Sequence, residues 1–184
     1  MTYYGGKDLA HSYRQVRGNT VQIAEEIPES NYSFRAAPES RSIGQLLAHI
    51  AIAPGIQLHI HGASISDLKG VNFPELMQKA MIEEARPRTK AETVAFLKSE
   101  GERVASYLEG LSDEFLAEPV TMPGGMQPPA KTRFEMLMSM KEHEMHHRGQ
   151  LMLLQRMVGL VPHLTRQMQE RMAQRAAAAA SQAR

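Results

Sequence analysis

Residues 132–159 read TRFEMLMSMKEHEMHHRGQLMLLQRMVG, and this stretch carries the strongest structural pattern in the chain. Thr132 and Glu135 form the pattern of a capping box, which predicts that a helix begins at this point. Gly159 and the following Pro162 favour a helix end. The stretch therefore predicts one long helix, called helix four below.

The inner face of helix four combines apolar and polar residues. Its three-four spacing runs through Met136, Met140, His143, His147, Gln150, Leu154 and Met157. Residues three or four positions apart share one face of an α-helix, so two histidines and a glutamine interrupt an apolar face at mid-helix. Burying a polar group without a partner costs about 1–3 kcal/mol, so this set needs hydrogen-bond partners from neighbouring helices or a metal ion.

Three amphipathic helices are predicted before helix four. Helix one spans residues 8–27. Its apolar face consists of Leu9, Tyr13, Val16, Thr20, Ile23 and Ile27. Helix two begins at the capping pattern of Ser42 and runs to about Gly62, with a kink at Pro54, which lacks an amide hydrogen. Helix three begins at a second capping pattern at Thr89 and keeps the three-four spacing for more than two heptads.

The connections complete the predicted architecture. Residues 63–88 form a long crossover with a short helix after Pro74, and residues 112–131 hold four prolines and a Gly-Gly pair, which favours irregular structure or a small hairpin. The fold class is therefore predicted to be all-α: a four-helix bundle with a long crossover between helices two and three, plus a C-terminal helix. We expect residues 1–162 to form the bundle domain and residues 163–184 to form an Ala/Arg-rich helical tail.

Composition narrows the classes of function. The 184-residue chain has a formal net charge of +1, which gives no electrostatic case for nucleic-acid binding. No basic segment with an apolar run opens the chain and no continuous apolar run of about 18 residues follows, so we expect a cytoplasmic protein that does not span a membrane. The absence of cysteine excludes disulfides and any thiol nucleophile from the protein itself. The eight histidines become the most informative candidates for reactive groups.

The third histidine of a metal site is expected on helix two. His143 and His147 lie one helical turn apart, so their rings can converge on one ion. His49, in the segment SIGQLLAHIA, lies on the inner side of helix two and is the best candidate for a third ligand. Beyond Pro54, His59 and His61 are expected near a loop. His11 and His163 are expected at the surface near element ends, and His146 is expected to point away from the site.

Two common metal motifs fit the sequence poorly. His143, Glu144 and His147 spell the H-E-x-x-H motif of zinc proteases, in which the glutamate activates a zinc-bound water. The extended form of that motif needs a glycine and a third histidine downstream, and Gln150 and Leu153 occupy those places. Glu144 and His147 also form the Glu-x-x-His pair of di-iron bundles, but no second pair appears at a matching position.

The sequence resembles the DinB-like superfamily of bacterial four-helix bundles, which includes the bacillithiol and mycothiol S-transferases. The resemblance rests on SIGQLLAHIA in helix two and HEMHHRGQL in helix four, and it spans roughly residues 5–162. It implies a divalent metal, usually zinc or nickel, with His49, His143 and His147 as its ligands. It also implies a homodimer.

The resemblance suggests a metal-dependent enzyme of the thiol S-transferase type, which uses an external low-molecular-weight thiol and a small-molecule substrate. A non-catalytic, stress-associated metal-binding bundle is the alternative, and a metal-dependent hydrolase is the third hypothesis. Glu144 is then expected on a helix face or next to a ligand, and Gln150 is better placed to contact a ligand. Arg148 is expected to bind a carboxylate from elsewhere in the bundle or across a dimer.

Overall fold

A computed structural model describes residues 4–182 of the chain. The α-helices are α1 (Gly6–Glu26), α2 (Ile43–Ile52), α3 (Pro54–Gly62), α4 (Phe73–Glu84), α5 (Lys90–Glu109), α6 (Asp113–Ala117), α7 (Arg133–Met157) and α8 (His163–Gln182). Two short strands, β1 (Pro119–Thr121) and β2 (Ala130–Thr132), pair in an antiparallel hairpin. The predicted helices one, two, three and four correspond to α1, α2 with α3, α5 and α7.

These four helices form a bundle, which confirms the predicted all-α class and the long crossover between helices two and three. The helix α1 packs most extensively on α5, and both α1 and α2 contact α7. The main core cluster joins side chains from all four helices, among them Ile23, Ile50, Leu97 and Leu151.

Local sequence patterns determine where the helices start. Ser42, Thr89 and Thr132 each accept a hydrogen bond from the backbone amide three residues later, at 3.2 Å in all three cases. The glutamine or glutamate at that later position bonds back to the cap residue, so all three predicted capping boxes are formed. The predicted apolar face of α1 is also buried along its whole length.

Helix α1 approaches α5 closely at Gly6. A Cβ atom at this position would lie 2.5 Å from the carbonyl oxygen of Leu108 and 2.6 Å from that of Leu111. Only glycine fits such a contact with backbone atoms. The start of α1 is therefore fixed by a close helix approach as well as by its own apolar pattern.

Pro54 divides the second helix into α2 and α3, as predicted. Ala53 keeps a helical conformation, so the two segments join directly. The stretch Ile43–Gly62 is long and apolar enough to cross a membrane by length and composition, with a mean hydropathy of 1.3. Half of that window is buried inside the bundle. Its apolar side chains, such as Leu47 and Ile60, lie in two of the hydrophobic clusters.

The two long connections pack against each other. The predicted helix after Pro74 is α4, and residues 112–131 form α6 and most of the hairpin, which was one of the two predicted alternatives. Thr121 of β1 pairs with Asp67 of the crossover. A small cluster of buried residues consists of Ile60, Leu68, Val120 and Met136. This contact anchors the first part of the crossover next to the start of α7.

The buried face of α7 differs from the predicted one. Gln150 and Met157 are exposed, whereas Glu144, Leu151 and Gln155 are buried. The reason is that α1 and α2 pack on the side of α7 that carries Glu144, Leu151 and Gln155. The side that carries the histidines therefore lies at the margin of the core. The predicted histidine face is therefore partly open to the clefts described below.

Candidate metal centre

Three histidine rings from α2 and α7 converge at one point. The Nε2 atom of His143 lies 3.3 Å from Nε2 of His49 and 3.1 Å from Nε2 of His147. The predicted set is thus brought together by the fold, with His49 reaching α7 from the second helix. Among the described residues, these three side chains form a group whose ligand atoms lie within 4.8 Å of one another.

Two of the three nitrogen separations match those around a tetrahedral metal ion. Zinc binds histidine nitrogen at about 2.0–2.1 Å, so two nitrogens on a tetrahedral zinc ion lie about 3.3–3.4 Å apart. The two measured separations are 3.3 and 3.1 Å. The fit therefore requires only small movements of the rings.

The hydrogen bonds of the Nδ1 atoms of His49 and His147 also favour a bound metal ion. Nδ1 of His49 donates to the carboxylate of Glu84 at 2.9 Å, and Nδ1 of His147 donates to the amide oxygen of Gln150 at 2.8 Å. Each of these two neutral rings therefore carries its proton on Nδ1, and its Nε2 lone pair faces His143. A single proton on His143 cannot satisfy two facing acceptors, whereas a cation can. Such partners orient the ligands and raise their basicity in metal sites.

The surroundings of the three histidines favour the neutral rings that a metal needs. Burial, followed by the neighbouring His147 and His49, lowers the pKa of His143 to about 4. Burial and the charge of Arg41 lower the pKa of His49, although the hydrogen bond to Glu84 opposes them. Burial also lowers the pKa of His147. The set is therefore uncharged at neutral pH.

Glu84 and Arg41 are site residues that the sequence did not reveal. Glu84 is the last residue of α4, and its second carboxylate oxygen accepts a hydrogen bond from Nε of Arg41 at 2.6 Å. Burial raises the pKa of Glu84, but the hydrogen bonds from Arg41 and His49 outweigh it and hold this pKa below its usual range. Glu84 lies 35 positions from His49, and no local spacing pattern links them.

Glu144 faces the core and not the histidines. Its carboxylate forms an ion pair with Arg17 of α1, with 2.9 Å between Nη2 and Oε2. Both side chains are closed from solvent, so Glu144 cannot act on a molecule bound at the histidines. Glu144 was expected on a helix face or next to a ligand, but it lies in the core because Arg17 provides a buried partner for it.

The other predicted positions have mixed outcomes. Gln150 does contact a candidate ligand, His147, as expected. His11 and His59 are exposed, and His61 lies next to the end of α3, near a loop as expected, but is buried. His163 is also buried, so its expected surface position was wrong. His61 contacts Arg133, and His163 contacts Asn19 of α1. Packing of the hairpin and of the start of α8 buries them, and no local pattern reveals such packing.

The outer face of α7 carries the two remaining residues. His146 is exposed, with its ring 4.9 Å from that of His147 and its Nε2 atom 3.2 Å from the amide nitrogen of Gln150. It is therefore adjacent to the site without joining the ligand group. Within residues 4–182, Arg148 forms no ion pair with a carboxylate, so its expected intrachain partner is absent from the described chain.

Two clefts meet the histidines from different sides. The apolar cleft, of about 260 Å³, is lined by His49 and His143 and by side chains of α3, α4 and α7. The charged cleft, of about 630 Å³, is lined by His147 and Gln150 and by Arg35 and Glu39. Arg41 and Glu84 line both clefts, so this ion pair stands between them.

Known proteins share this sequence pattern and fold. The model of the DinB superfamily matches residues 12–151, which include His49, His143 and His147. The protein YjoA of Bacillus subtilis (strain 168) is 24% identical over 143 residues, which cover 78% of this chain and 84% of YjoA.

Solved structures show the same fold. A DinB-like protein from Bacillus cereus ATCC 10987 superposes with a TM-score of 0.66 at 18% identity, covering 88% of this chain and 97% of that one. YfiT from Bacillus subtilis, described as a probable metal-dependent hydrolase with an unusual four-helix bundle topology, superposes with a TM-score of 0.66 at 14% identity. The alignment covers 87% of this chain and 91% of YfiT. At these identities the likeness is one of fold.

Proposed function

Because the chain belongs to the DinB superfamily, we propose that it is a divalent-metal-dependent transferase that joins an external low-molecular-weight thiol to a small electrophilic molecule. His49, His143 and His147 would hold the ion, with zinc or nickel as the expected metal. A divalent ion held by three neutral imidazoles keeps its charge and lowers the pKa of a thiol or water that it binds.

The observation that carries this proposal is the pair of clefts that meet at the histidines. A transferase must hold two reactants next to one another, whereas hydrolysis needs only one organic reactant and water. Here the apolar cleft opens on His49 and His143, and the charged cleft opens on His147. The absence of cysteine means that the thiol must come from outside the protein.

The protein's own groups would position the reactants. Glu84 and Gln150 hold the rings of His49 and His147 in one orientation. Arg41 places a positive charge beside the site, since it lowers the pKa of all three histidines. In the overall reaction a carbon–sulfur bond forms, the leaving group departs with its bonding electron pair, and the thiol proton passes to solvent.

Metal-dependent hydrolysis is a second candidate, supported by the fold shared with YfiT. A hydrolase of this kind benefits from a free general base near the bound water. Both oxygens of Glu84 are already hydrogen-bonded, to His49 and Arg41, and Glu144 is paired with Arg17. These contacts favour the transferase over the hydrolase.

The ligand set is tested by equilibrium metal binding. We expect His143→Ala to lower the affinity for zinc and nickel by more than about 100-fold, beyond the loss typical for residues outside the ligand shell. His146→Ala is the matched control, because His146 lies on the same helix, is exposed and does not belong to the ligand group. Stoichiometric metal retained by His143→Ala would rule out this ligand set.

The reaction is tested by conjugation of monochlorobimane with a panel of thiols that includes bacillithiol, mycothiol and glutathione. We expect chloride release and a fluorescent conjugate with one or more thiols, at a rate that depends on added metal. His146→Ala should keep this rate and His143→Ala should lose it. Metal binding without any metal-dependent consumption of thiol would favour the non-catalytic metal-binding protein, and metal-dependent ester cleavage would favour the hydrolase.

A further inference from the structure

One wall of the apolar cleft is a helix that the described part of the chain leaves uncovered. Helix α4 has 12 residues, and none of them is buried. Its residues Met77, Ala80, Met81 and Glu84 follow helical spacing and line the cleft. Met77 and Met81 remain 48% and 64% exposed. An amphipathic helix is stabilised mainly by packing of its apolar face, and here that face borders a cavity.

The opposite walls of this cleft are also mainly apolar. They include Ile52, Pro54, Ile56 and Met140, together with the polar side chains of Gln57 and Ser139. The floor is formed by His49 and His143, so an occupant would lie directly beside the metal centre. Methionine side chains adapt their shape readily, which suits a cleft that accepts small apolar molecules.

Arg41 adds a cationic group at the boundary of the cleft, where it pairs with Glu84 through Nε alone. Its Nε donates to Glu84, which in turn accepts from His49. Within residues 4–182, no hydrogen bond uses the two terminal nitrogens of Arg41. The terminal nitrogens of a guanidinium bind carboxylates and phosphates in a two-point geometry. The Arg41 side chain is 43% exposed, so an incoming anion can reach it.

We propose that the apolar cleft binds a small molecule that has an apolar body and an anionic end, with the body between α3 and α4 and the anion on Arg41. This inference deepens the proposed function and rests on it only for identifying the occupant as the electrophilic substrate. The binding itself depends on the cleft residues alone.

The volume limits the size of the occupant. Pockets for drug-sized ligands have about 300–1,000 Å³, and a cavity of about 150 Å³ accepts benzene. The apolar cleft, at about 260 Å³, lies between these values. This volume suits a carboxylate with a short hydrocarbon chain or a single ring.

The test uses octanoate, octanol and acetate as probes, with binding to the full-length chain measured by calorimetry. We expect octanoate to bind about tenfold more tightly than octanol, since a charge-assisted bond to Arg41 contributes on the order of 1.4 kcal/mol. Acetate, which lacks the apolar body, should bind more weakly than either. Equal affinities for octanoate and octanol would overturn the role of Arg41.

Matched variants locate the probes. Arg41→Gln should weaken octanoate about tenfold and leave octanol unchanged. Arg86→Gln is its control, because Arg86 lies just after the end of α4, pairs with Glu83 and does not line the cleft. Met77→Gln should weaken both octanoate and octanol about fivefold.

Ile82→Gln is the control for Met77→Gln, because Ile82 is an exposed apolar residue of α4 outside the cleft. An equal effect of Met77→Gln and Ile82→Gln would place the probe elsewhere and overturn the proposal.

A last comparison separates Arg41 from the metal. Octanoate binding is measured in metal-free protein and again with zinc added. Preference for octanoate over octanol should persist without metal and disappear in Arg41→Gln. If the preference instead survives Arg41→Gln and needs zinc, the ion holds the anion and the proposal fails. Probe binding without thiol conjugation would overturn the proposed function and leave this inference intact. Thiol conjugation without probe binding would overturn this inference and leave the proposed function intact.

Discussion

Arg17 and Glu144 form a buried ion pair directly behind the candidate metal centre. The Arg17 side chain is 5% exposed and that of Glu144 is 1% exposed. Arg17 also donates to the carbonyl oxygen of Ile50 at 3.1 Å. Glu144 follows His143 in the sequence and Ile50 follows His49, so one guanidinium holds both ligand-bearing helices beside their histidines. Gly101 of α5 makes room for Arg17, because a Cβ atom there would lie 2.6 Å from Cγ of Arg17.

Arg17→Met should destabilise the protein strongly, because it leaves the Glu144 carboxylate buried without its cationic partner. We expect the free energy of unfolding, measured with urea, to fall by about 3–5 kcal/mol. The double variant Arg17→Met with Glu144→Leu should recover much of this loss, since neither charge is then buried. Arg14→Met is the control, because Arg14 pairs with Glu102 on the surface and surface pairs contribute little. Equal losses in the two single variants would contradict the buried pair.

Glu84→Gln should weaken metal binding while the fold remains intact. The amide keeps the shape of the side chain but removes the charge that orients His49, and such changes typically reduce metal affinity about 10–100-fold. Zinc affinity is measured by competition with a chelating dye. Glu83→Gln is a matched control one residue earlier, because Glu83 pairs with Arg86 and Arg88 and has no hydrogen bond to a histidine. Unchanged affinity in Glu84→Gln would show that this carboxylate does not support the site.

His61 should make the stability depend on pH. Burial and the neighbouring Arg133 lower the pKa of His61 to about 4. The unfolded chain therefore takes up a proton between about pH 6.5 and about pH 4 that the folded protein does not, and the free energy of unfolding falls as the pH falls, by at most about 1.4 kcal/mol per unit. His61→Gln lacks this titrating group. The difference in the free energy of unfolding between wild type and variant should therefore shrink as the pH falls from about 6.5 to about 4.

Urea unfolding at several pH values measures that difference. His11→Gln serves as the control, because His11 is exposed on α1 and should leave the pH dependence of stability as it is in the wild type. If the His61→Gln curve instead runs parallel to the wild-type curve, His61 is not the group responsible.

We expect a homodimer, from the family resemblance and from the apolar side chains that one chain leaves exposed. Those on α7, α8 and their connection are Met145, Leu153, Met157, Val161, Met168 and Met172. Exposed apolar side chains in such number mark an interaction surface in many proteins. Light scattering at micromolar concentration should give twice the mass of 20.5 kDa for one chain. A mass of one chain over a tenfold concentration range would contradict the dimer.

Much of the fold followed from local patterns in the sequence. The capping boxes at Ser42, Thr89 and Thr132, the kink at Pro54 and the buried face of α1 depend on residues within one or two turns of each other. Interactions of that range are visible as spacing. The burial of His61 and His163 was missed because packing of the hairpin and of α8 on the bundle leaves no such spacing.

The sequence by itself determined the two candidate ligands on α7, because four residues of an α-helix always return a side chain to nearly the same face. It also indicated His49, by its inner position on the second helix and by resemblance. Only the tertiary structure decided what each polar group contacts. Glu144 is drawn into the core by Arg17, and Glu84 reaches His49 from the crossover helix. Hydrogen bonds and charges act over a few ångströms in space, so residues far apart in sequence become partners only when the helices pack.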